Sequence, residues 1–184
     1  MARPSISPAR RWGLVVGSAA LVVLVDQLTK AWAVSRLKDQ PPIDVVWTLR
    51  FLYARNTGMA FSRGAGMGPV IGLVALVIVG VVAVSARKMR STLALVLAGI
   101  VIGGALGNVI DRATRAEPGG KFMSGAVVDF IDLQWWPVFN VADAAVVCGG
   151  IALAVFVVRE GEPDGEGDGD DERTDQTTTP DGSA

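Results

Sequence analysis

No histidine occurs in the 184 residues, and that absence excludes Ser-His-Asp and Cys-His catalysis together with every metal site built on imidazole. Any chemistry must use other side chains. Cysteine is nearly as scarce: Cys148 alone cannot close an intrachain disulfide or build a thiolate cluster, and it gives no information on redox compartment. It lies in an apolar run and reads as packing. Charge is thin as well, at 19% of residues against 51% hydrophobic. With mean hydropathy at +0.43, the average residue prefers an apolar surrounding to water. That balance argues against a soluble enzyme.

The net charge of -1 conceals two opposite pieces. Residues 160–184 hold ten of the 18 acidic side chains and, of the 17 basic ones, only Arg173, which leaves residues 1–159 at about +8. The acidic segment is Gly, Asp, Glu and Thr with no apolar anchor, so nothing offsets the entropy of ordering it and it is expected to be disordered.

Four stretches, at about residues 12–34, 69–86, 91–110 and 138–158, are apolar over 18 residues or more. A hydrocarbon core of roughly 30 Å takes about 20 helical residues, so each is read as a transmembrane helix. They show no strict alternation, and soluble strands do not run to such lengths. A soluble core fails on number, because so many apolar segments would leave almost no polar face to cover them. The first stretch has a rival reading. Arg10, Arg11, the apolar run and Ala31-Trp32-Ala33 imitate a cleavable signal peptide, but Asp26, Gln27, Thr29 and Lys30 interrupt that run, so it is read as a retained helix. The organisation is then a basic N-terminus (1–11), a four-helix body (12–158) and an acidic tail (159–184).

Short basic segments set the orientation. Arg3, Arg10 and Arg11 precede the first helix, Arg87, Lys88 and Arg90 fill the turn between the second and third, and Arg159 follows the fourth. The positive-inside rule puts both termini in the cytoplasm and segments 35–68 and 111–137 outside. Against this, the longer 35–68 loop carries Arg36, Lys38, Arg50, Arg55 and Arg63, although at lower density. That loop also contains β-like runs (IDVVWTLRFLYAR) with Trp47, Phe51 and Tyr53, which suit a small sheet at the membrane surface.

In this topology the polar residues gather at one face. Asp26 and Lys30 end the first helix, Asn108, Asp111 and Arg112 end the third, Asn140 and Asp143 begin the fourth, and Asn56 and Asp129 sit in the outer loops. Ionisable groups at membrane depth cost several kcal/mol, on the order of 3 or more, unless paired, so they commonly face the bundle interior and mark a site. Each has a plainer reading. Asp26 and Lys30, four apart, could form an ion pair that only anchors the helix end. Arg112 could snorkel to headgroups, and Asp143 could be a cap at a helix N-terminus, where the dipole favours a carboxylate.

Asp129 resists the plain reading. Flanked by valines and Phe130 in AVVDFI, it is desolvated unless it meets a partner, and two such carboxylates brought together share one proton. That pair supplies an acid and a base for amide hydrolysis without histidine, metal or covalent nucleophile. Asp129 and Asp143 are the expected catalytic residues, with Asp132 second to Asp129 as the partner acid.

The motifs DQLTK (26–30), NTGMAF (56–61), GNVIDR (107–112), VVDFI (127–131) and FNVAD (139–143) together resemble the lipoprotein signal peptidases, also called signal peptidase II. The resemblance covers residues 12–158. It implies a membrane aspartic endopeptidase, a hydrolase that removes the signal peptide from diacylglyceryl-modified prolipoproteins just before the lipidated cysteine. It further implies an α-helical membrane protein of four transmembrane helices with a small extracytoplasmic β-cradle and an active site near the outer leaflet of the bacterial inner membrane. On this resemblance the catalytic pair falls on Asp129 and Asp143, and support and substrate positioning fall on Asp26, Asn56, Asn108, Asp111, Arg112 and Asn140. Lys30 joins the support through its pairing with Asp26. No metal, no cofactor and no nucleic acid is expected; the partners are the prolipoprotein and membrane lipids. Two departures from the pattern touch no motif: the acidic tail and the stretch containing GGKFMSG between GNVIDR and VVDFI.

Two rival readings remain. A small proton-coupled transporter would also place Asp and Asn in membrane helices, but a path across the bilayer needs polar residues in both halves, and the inner halves are apolar. A non-catalytic assembly factor is suggested only by Gly99, Gly103, Gly104 and Gly107, which permit close helix packing, and it leaves both aspartates unexplained.

Overall fold

Ser7 opens the first helix by accepting a hydrogen bond from the Arg10 N–H at 3.4 Å, and Pro8 follows at a position whose missing N–H costs nothing. In the computed structural model, which describes residues 6–58, 67–116, 120 and 122–161, this helix, α1, spans Pro8–Leu37. There follow β1 (Ile43–Val46), β2 (Leu49–Asn56), α2 (Gly68–Ala86), α3 (Thr92–Thr114), β3 (Val127–Asp132) and α4 (Val141–Gly161). Arg3 and Arg63, Met59 to Phe61 of the NTGMAF motif, part of the GGKFMSG stretch and the tail from residue 162 lie outside the described residues.

All four expected helices are present, and each is long and apolar enough to cross a membrane. Several boundaries differ from expectation, among them both ends of α1, the end of α3 and the start of α4 by three residues or more. α1 runs four residues earlier and three later than 12–34, and α3 runs four past 110, because hydropathy registers only the apolar part of a helix that continues into the polar surface. α4 begins at Val141 rather than 138 because Phe139 is taken by the sheet. Its N–H donates to the Ile131 carbonyl at 3.0 Å and its carbonyl accepts from the Ile131 N–H at 2.9 Å.

α3 is the central helix, packing against α1, α2 and α4 and burying more of itself than any of them. Its glycines permit this. A β-carbon on Gly103 would lie 2.5 Å from the Ala19 carbonyl oxygen, and one on Gly104 would lie 2.6 Å from that of Ala142. Leu95, Ala98 and Ile102 meet Val15 and Ala19 of α1 in one buried cluster. On the outward faces Leu21, Leu24, Val77, Val81, Val84, Ile151 and Val158 are all exposed. So large an apolar surface is stable only against hydrocarbon.

The sheet has the order β1-β2-β3, antiparallel throughout. Strands form in the β1–β2 region as expected, whereas β3 occupies a segment expected to be a loop. The sheet rests on the C-terminal end of α1, where Val128 and Phe130 pack with Ala33 and Leu37. Trp32 meets Phe51 and Phe130 edge-on at centroid distances of 5.6 and 6.1 Å, a favoured aromatic geometry. Trp47 stands in the β1–β2 turn, 98% exposed at φ 55°.

Candidate active site

Every polar residue expected at the site lies where the C-terminal ends of α1 and α3, the N-terminal end of α4 and the sheet converge. The foundation is ionic. The Lys30 ammonium is fully buried, and its three N–H groups meet Asp26 Oδ2 at 2.9 Å, Asp111 Oδ2 at 3.1 Å and Asn108 Oδ1 at 2.9 Å. The expected Asp26–Lys30 pair is therefore one edge of a three-way junction. Asp111 also accepts from the Arg115 guanidinium at 2.9 Å and from the Val128 N–H at 3.1 Å, which fixes the strand beside Asp129. Asp26 Oδ1 accepts from the Ala142 N–H at 3.0 Å, so a side chain of α1 satisfies one of the free donors at the start of α4.

α4 completes its own N-terminus reciprocally. Asn140 Oδ1 accepts from the Asp143 N–H at 2.9 Å, and Asp143 Oδ2 accepts from the Asn140 N–H at 3.3 Å. This has the geometry of a capping box. The capping reading of Asp143 is thus correct, although it covers only part of that side chain, because Asp143 Oδ1 also accepts from Asn108 Nδ2 at 2.7 Å. Asn140 lies just before the helix and not within it.

Asn140 also joins the two expected acids. Its Nδ2 donates to Asp129 Oδ1 at 2.6 Å while its main chain and Oδ1 hold Asp143. Asn56 Nδ2 donates to Asp129 Oδ2 at 3.0 Å from the neighbouring strand, across the register that pairs Ala54 with Asp129. Asp129 is 2% exposed. Burial, and then the charge of Asp143, push its carboxyl up to about 7, against the opposing effect of the Asn56 and Asn140 hydrogen bonds.

Asp132 sits differently. Three residues from Asp129 along a strand, it points to the opposite face. There it accepts from Arg50 Nε at 2.6 Å and from the Gln134 N–H at 2.7 Å. Burial works to raise it, but those two donors hold its carboxyl below the usual carboxylate range. It is not placed to partner Asp143.

A cavity of about 300 Å³ opens beside this network, walled on its polar side by Asn56, Asn108, Arg112 and Asp143 and on its apolar side by Ile71, Val74, Ile78 and Val146. Asp129 is set behind Asn56 and Asn140 and is not itself a wall of the cavity. Arg112 does not snorkel. It is 4% exposed and runs past Gly68 and Gly72 of α2, and its Nη1 has no hydrogen-bond partner among the described residues. Among the described residues, no three acidic or cysteine side chains converge as metal ligands.

Three contributors were not singled out from the sequence. Gln27 Nε2 donates to Asp26 Oδ2, the Gly107 carbonyl and Asp111 Oδ1, and its place inside DQLTK was the available signal. Arg115 lies one helical turn beyond Asp111, a spacing that could have been read. Gly58 has φ 95°, and its N–H donates to Asn56 Oδ1 at 3.0 Å. A β-carbon there would lie 2.9 Å from the Gly68 nitrogen, which excludes a larger residue.

An apolar four-helix bundle thus gathers carboxylates, amides and one ammonium beside a cavity, the architecture of a membrane-embedded protein with a buried polar site. A family model described as signal peptidase (SPase) II matches residues 18–159. The lipoprotein signal peptidase of Rhodococcus jostii is 45% identical over 149 residues, covering 80% of this chain and 73% of that protein. That of Syntrophomonas wolfei is 39% identical, covering 79% and 93%. A solved structure described as a bacterial membrane enzyme determined by the in meso method at 2.3 Å resolution superposes with a TM-score of 0.66 at 25% identity, over 84% of this chain and 94% of that one. The chain belongs to the signal peptidase II family, the lipoprotein signal peptidases of the bacterial inner membrane. The transporter alternative finds no support in these comparisons.

Proposed function

We propose that Asp129 and Asp143 are the catalytic pair with which this peptidase removes signal peptides from diacylglyceryl-modified prolipoproteins, cutting just before the lipidated cysteine. One carboxylate draws a proton from water as that water adds to the scissile carbonyl, and the other donates to the carbonyl oxygen. The observation that carries this reading is Asn140, which hydrogen-bonds both aspartates, Asp143 at the wall of a largely apolar cavity and Asp129 behind it. Asp26, Lys30, Asn56, Asn108, Asp111 and Asn140 act as supports that fix the two carboxyl groups, and Arg112, whose Nη1 at the cavity wall has no partner among the described residues, positions the substrate backbone.

Asp129 is buried behind Asn56 and Asn140, so substrate must uncover it; catalytic contacts commonly tighten only in the complex. The lipid on the cysteine keeps the scissile bond at the bilayer surface, with the site toward the outer leaflet and both termini in the cytoplasm. The apolar wall of α2 and α4 suits acyl chains and the signal helix, and exclusion of bulk water favours a single nucleophilic water.

The test is peptide release from a diacylglyceryl prolipoprotein in detergent. Asp129→Asn and Asp143→Asn each abolish it, whereas Asp132→Asn, on the opposite strand face, leaves most of it. Full activity in both of the first two variants discards the pair.

A further inference from the structure

The two aspartates receive the same number of hydrogen bonds, yet their surroundings are unequal. Asp129 takes one bond from Asn56 and one from Asn140, both neutral amides, and sits in a strand, which has little net dipole. Asp143 stands in the first turn of α4, where the helix dipole favours negative charge. One of its donors, Asn108, is backed by a cation. Asn108 Oδ1 accepts from the Lys30 ammonium at 2.9 Å and from Asn140 Nδ2 at 3.2 Å. Both of those groups only donate, so Asn108 has a single orientation and must turn its N–H toward Asp143.

Charge balance points the same way. From α1 the network receives Asp26 and Lys30, from α3 Asp111, Arg112 and Arg115, and from α4 and β3 the aspartate pair. β2 contributes Arg50, which is paired with Asp132, and Arg55, which is exposed; α2 contributes no charged residue. Among the described residues of the network, Lys30, Arg112 and Arg115 against Asp26 and Asp111 leave one positive charge, which one ionised member of the pair neutralises. Ionising both leaves an excess buried anion, which is costly.

We infer that Lys30, acting through Asn108, is the positioning residue that holds Asp143 as the carboxylate and leaves the shared proton on Asp129. This rests on the catalytic pair proposed above and assigns its roles. Asp143 takes a proton from water as the water oxygen bonds to the carbonyl carbon, and Asp129 gives its proton to the carbonyl oxygen. When the carbon–nitrogen bond breaks, the proton on Asp143 goes to the departing amine, and Asp129 recovers a proton from the hydroxyl of the collapsing diol. The pair ends as it began.

The test is the pH profile of kcat/KM, whose two limbs report formation and loss of the singly protonated pair. Asn108→Ala removes support from the carboxylate, so the acid limb moves up by about one pH unit, a tenfold loss on that limb. Asn56→Ala removes a donor from the protonated partner, so the acid limb stays and the alkaline limb moves up. The crossed pattern, or an unmoved acid limb in Asn108→Ala, overturns the assignment.

A second measurement needs no turnover. At about pH 6, above the ordinary aspartate value of about 3.9, the infrared band of the pair's one protonated carboxyl should shift in Asn56→Ala, which takes a donor from Asp129, and stay in place in Asn108→Ala. An unshifted band in Asn56→Ala overturns the inference even where Asn108→Ala fails to fold. Full activity of both aspartate variants removes the pair itself, a result distinct from a wrong assignment within it.

Discussion

Replacing Lys30 by methionine keeps the length of the side chain and removes three donors from a place that water does not reach. The two carboxylates it leaves behind are not equally stranded. Asp111 keeps the Arg115 guanidinium at 2.9 Å, the Val128 N–H and Gln27 Nε2 at 3.3 Å. Asp26 keeps only neutral donors, the Ala142 N–H at 3.0 Å and Gln27 Nε2 at 3.1 Å. Removing one partner of a buried ion pair costs about 3–5 kcal/mol, because it leaves an uncompensated charge, and here that cost falls on Asp26. For a chain of this size it corresponds to a melting temperature lower by roughly 6 to 20 °C. Thermal unfolding in detergent, followed by circular dichroism, measures it. Adding Asp26→Asn to Lys30→Met should recover at least half of the loss, whereas adding Asp111→Asn should recover little, since it strips Arg115 of its partner. If Lys30→Met melts within about 2 °C of the wild type, or if Asp111→Asn rescues as well as Asp26→Asn, the unequal pairing is wrong.

Gly107→Ala places a methyl group 2.5 Å from Asp26 Oδ2 and 3.3 Å from the Ala142 β-carbon. Asp26 must then release the α4 N-terminus, and a loss of about 1–3 kcal/mol is expected by thermal unfolding. Gly80→Ala, whose added methyl meets nothing within 4 Å, should be neutral or stabilising by up to about 1 kcal/mol. Stability should also depend on pH through Asp129. Its folded value of about 7 lies above the ordinary 3.8, so the folded state binds the proton more tightly. The resulting stabilisation is complete below the unfolded value and is lost as pH rises through the folded one. Melting temperatures should therefore fall between about pH 4 and pH 7 in the wild type, and Asp129→Asn should flatten that slope; an unchanged slope would count against Asp129 as its source.

The four helices were legible because apolar runs of that length have few other uses. Lys30 was legible from the four-residue spacing to Asp26, and Asp143 as a cap from its place near a helix N-terminus, whereas Asn140, expected inside that helix, precedes it as the reciprocal cap. β3 was not legible as a strand. Val127 to Phe130 are buried on both faces, so the alternation that marks a half-buried strand is missing. That omission left the choice between Asp129 and Asp132 to rest on their flanking residues. Once the strand is known, the period of two decides it, placing Asp129 toward Asn140 and Asp132 toward Arg50. The third partner of Lys30 was hidden as well, because Asp111 lies 81 positions along the chain and meets Lys30 only through the packing of α1 on α3.

The structural and functional readings of these polar residues compete less than their separate statement suggests. The bonds that orient Asp143, from Asn140 and Asn108, are also bonds that close the start of α4, and Asp26 caps that helix from a different one. A rigid carboxylate is what an acid–base site requires, and a helix N-terminus supplies it with donors already in place. Asp129 differs in carrying no cap. Both donors that reach its oxygens are themselves locked, Asn56 by the Gly58 N–H on its Oδ1 and Asn140 by the Asp143 N–H on its own. An amide at position 129 would therefore turn its N–H against one of two donors that cannot rotate away without giving up another bond. The site thus specifies an acid at 129 through its neighbours' orientation, whereas at 143 it specifies one through a cap.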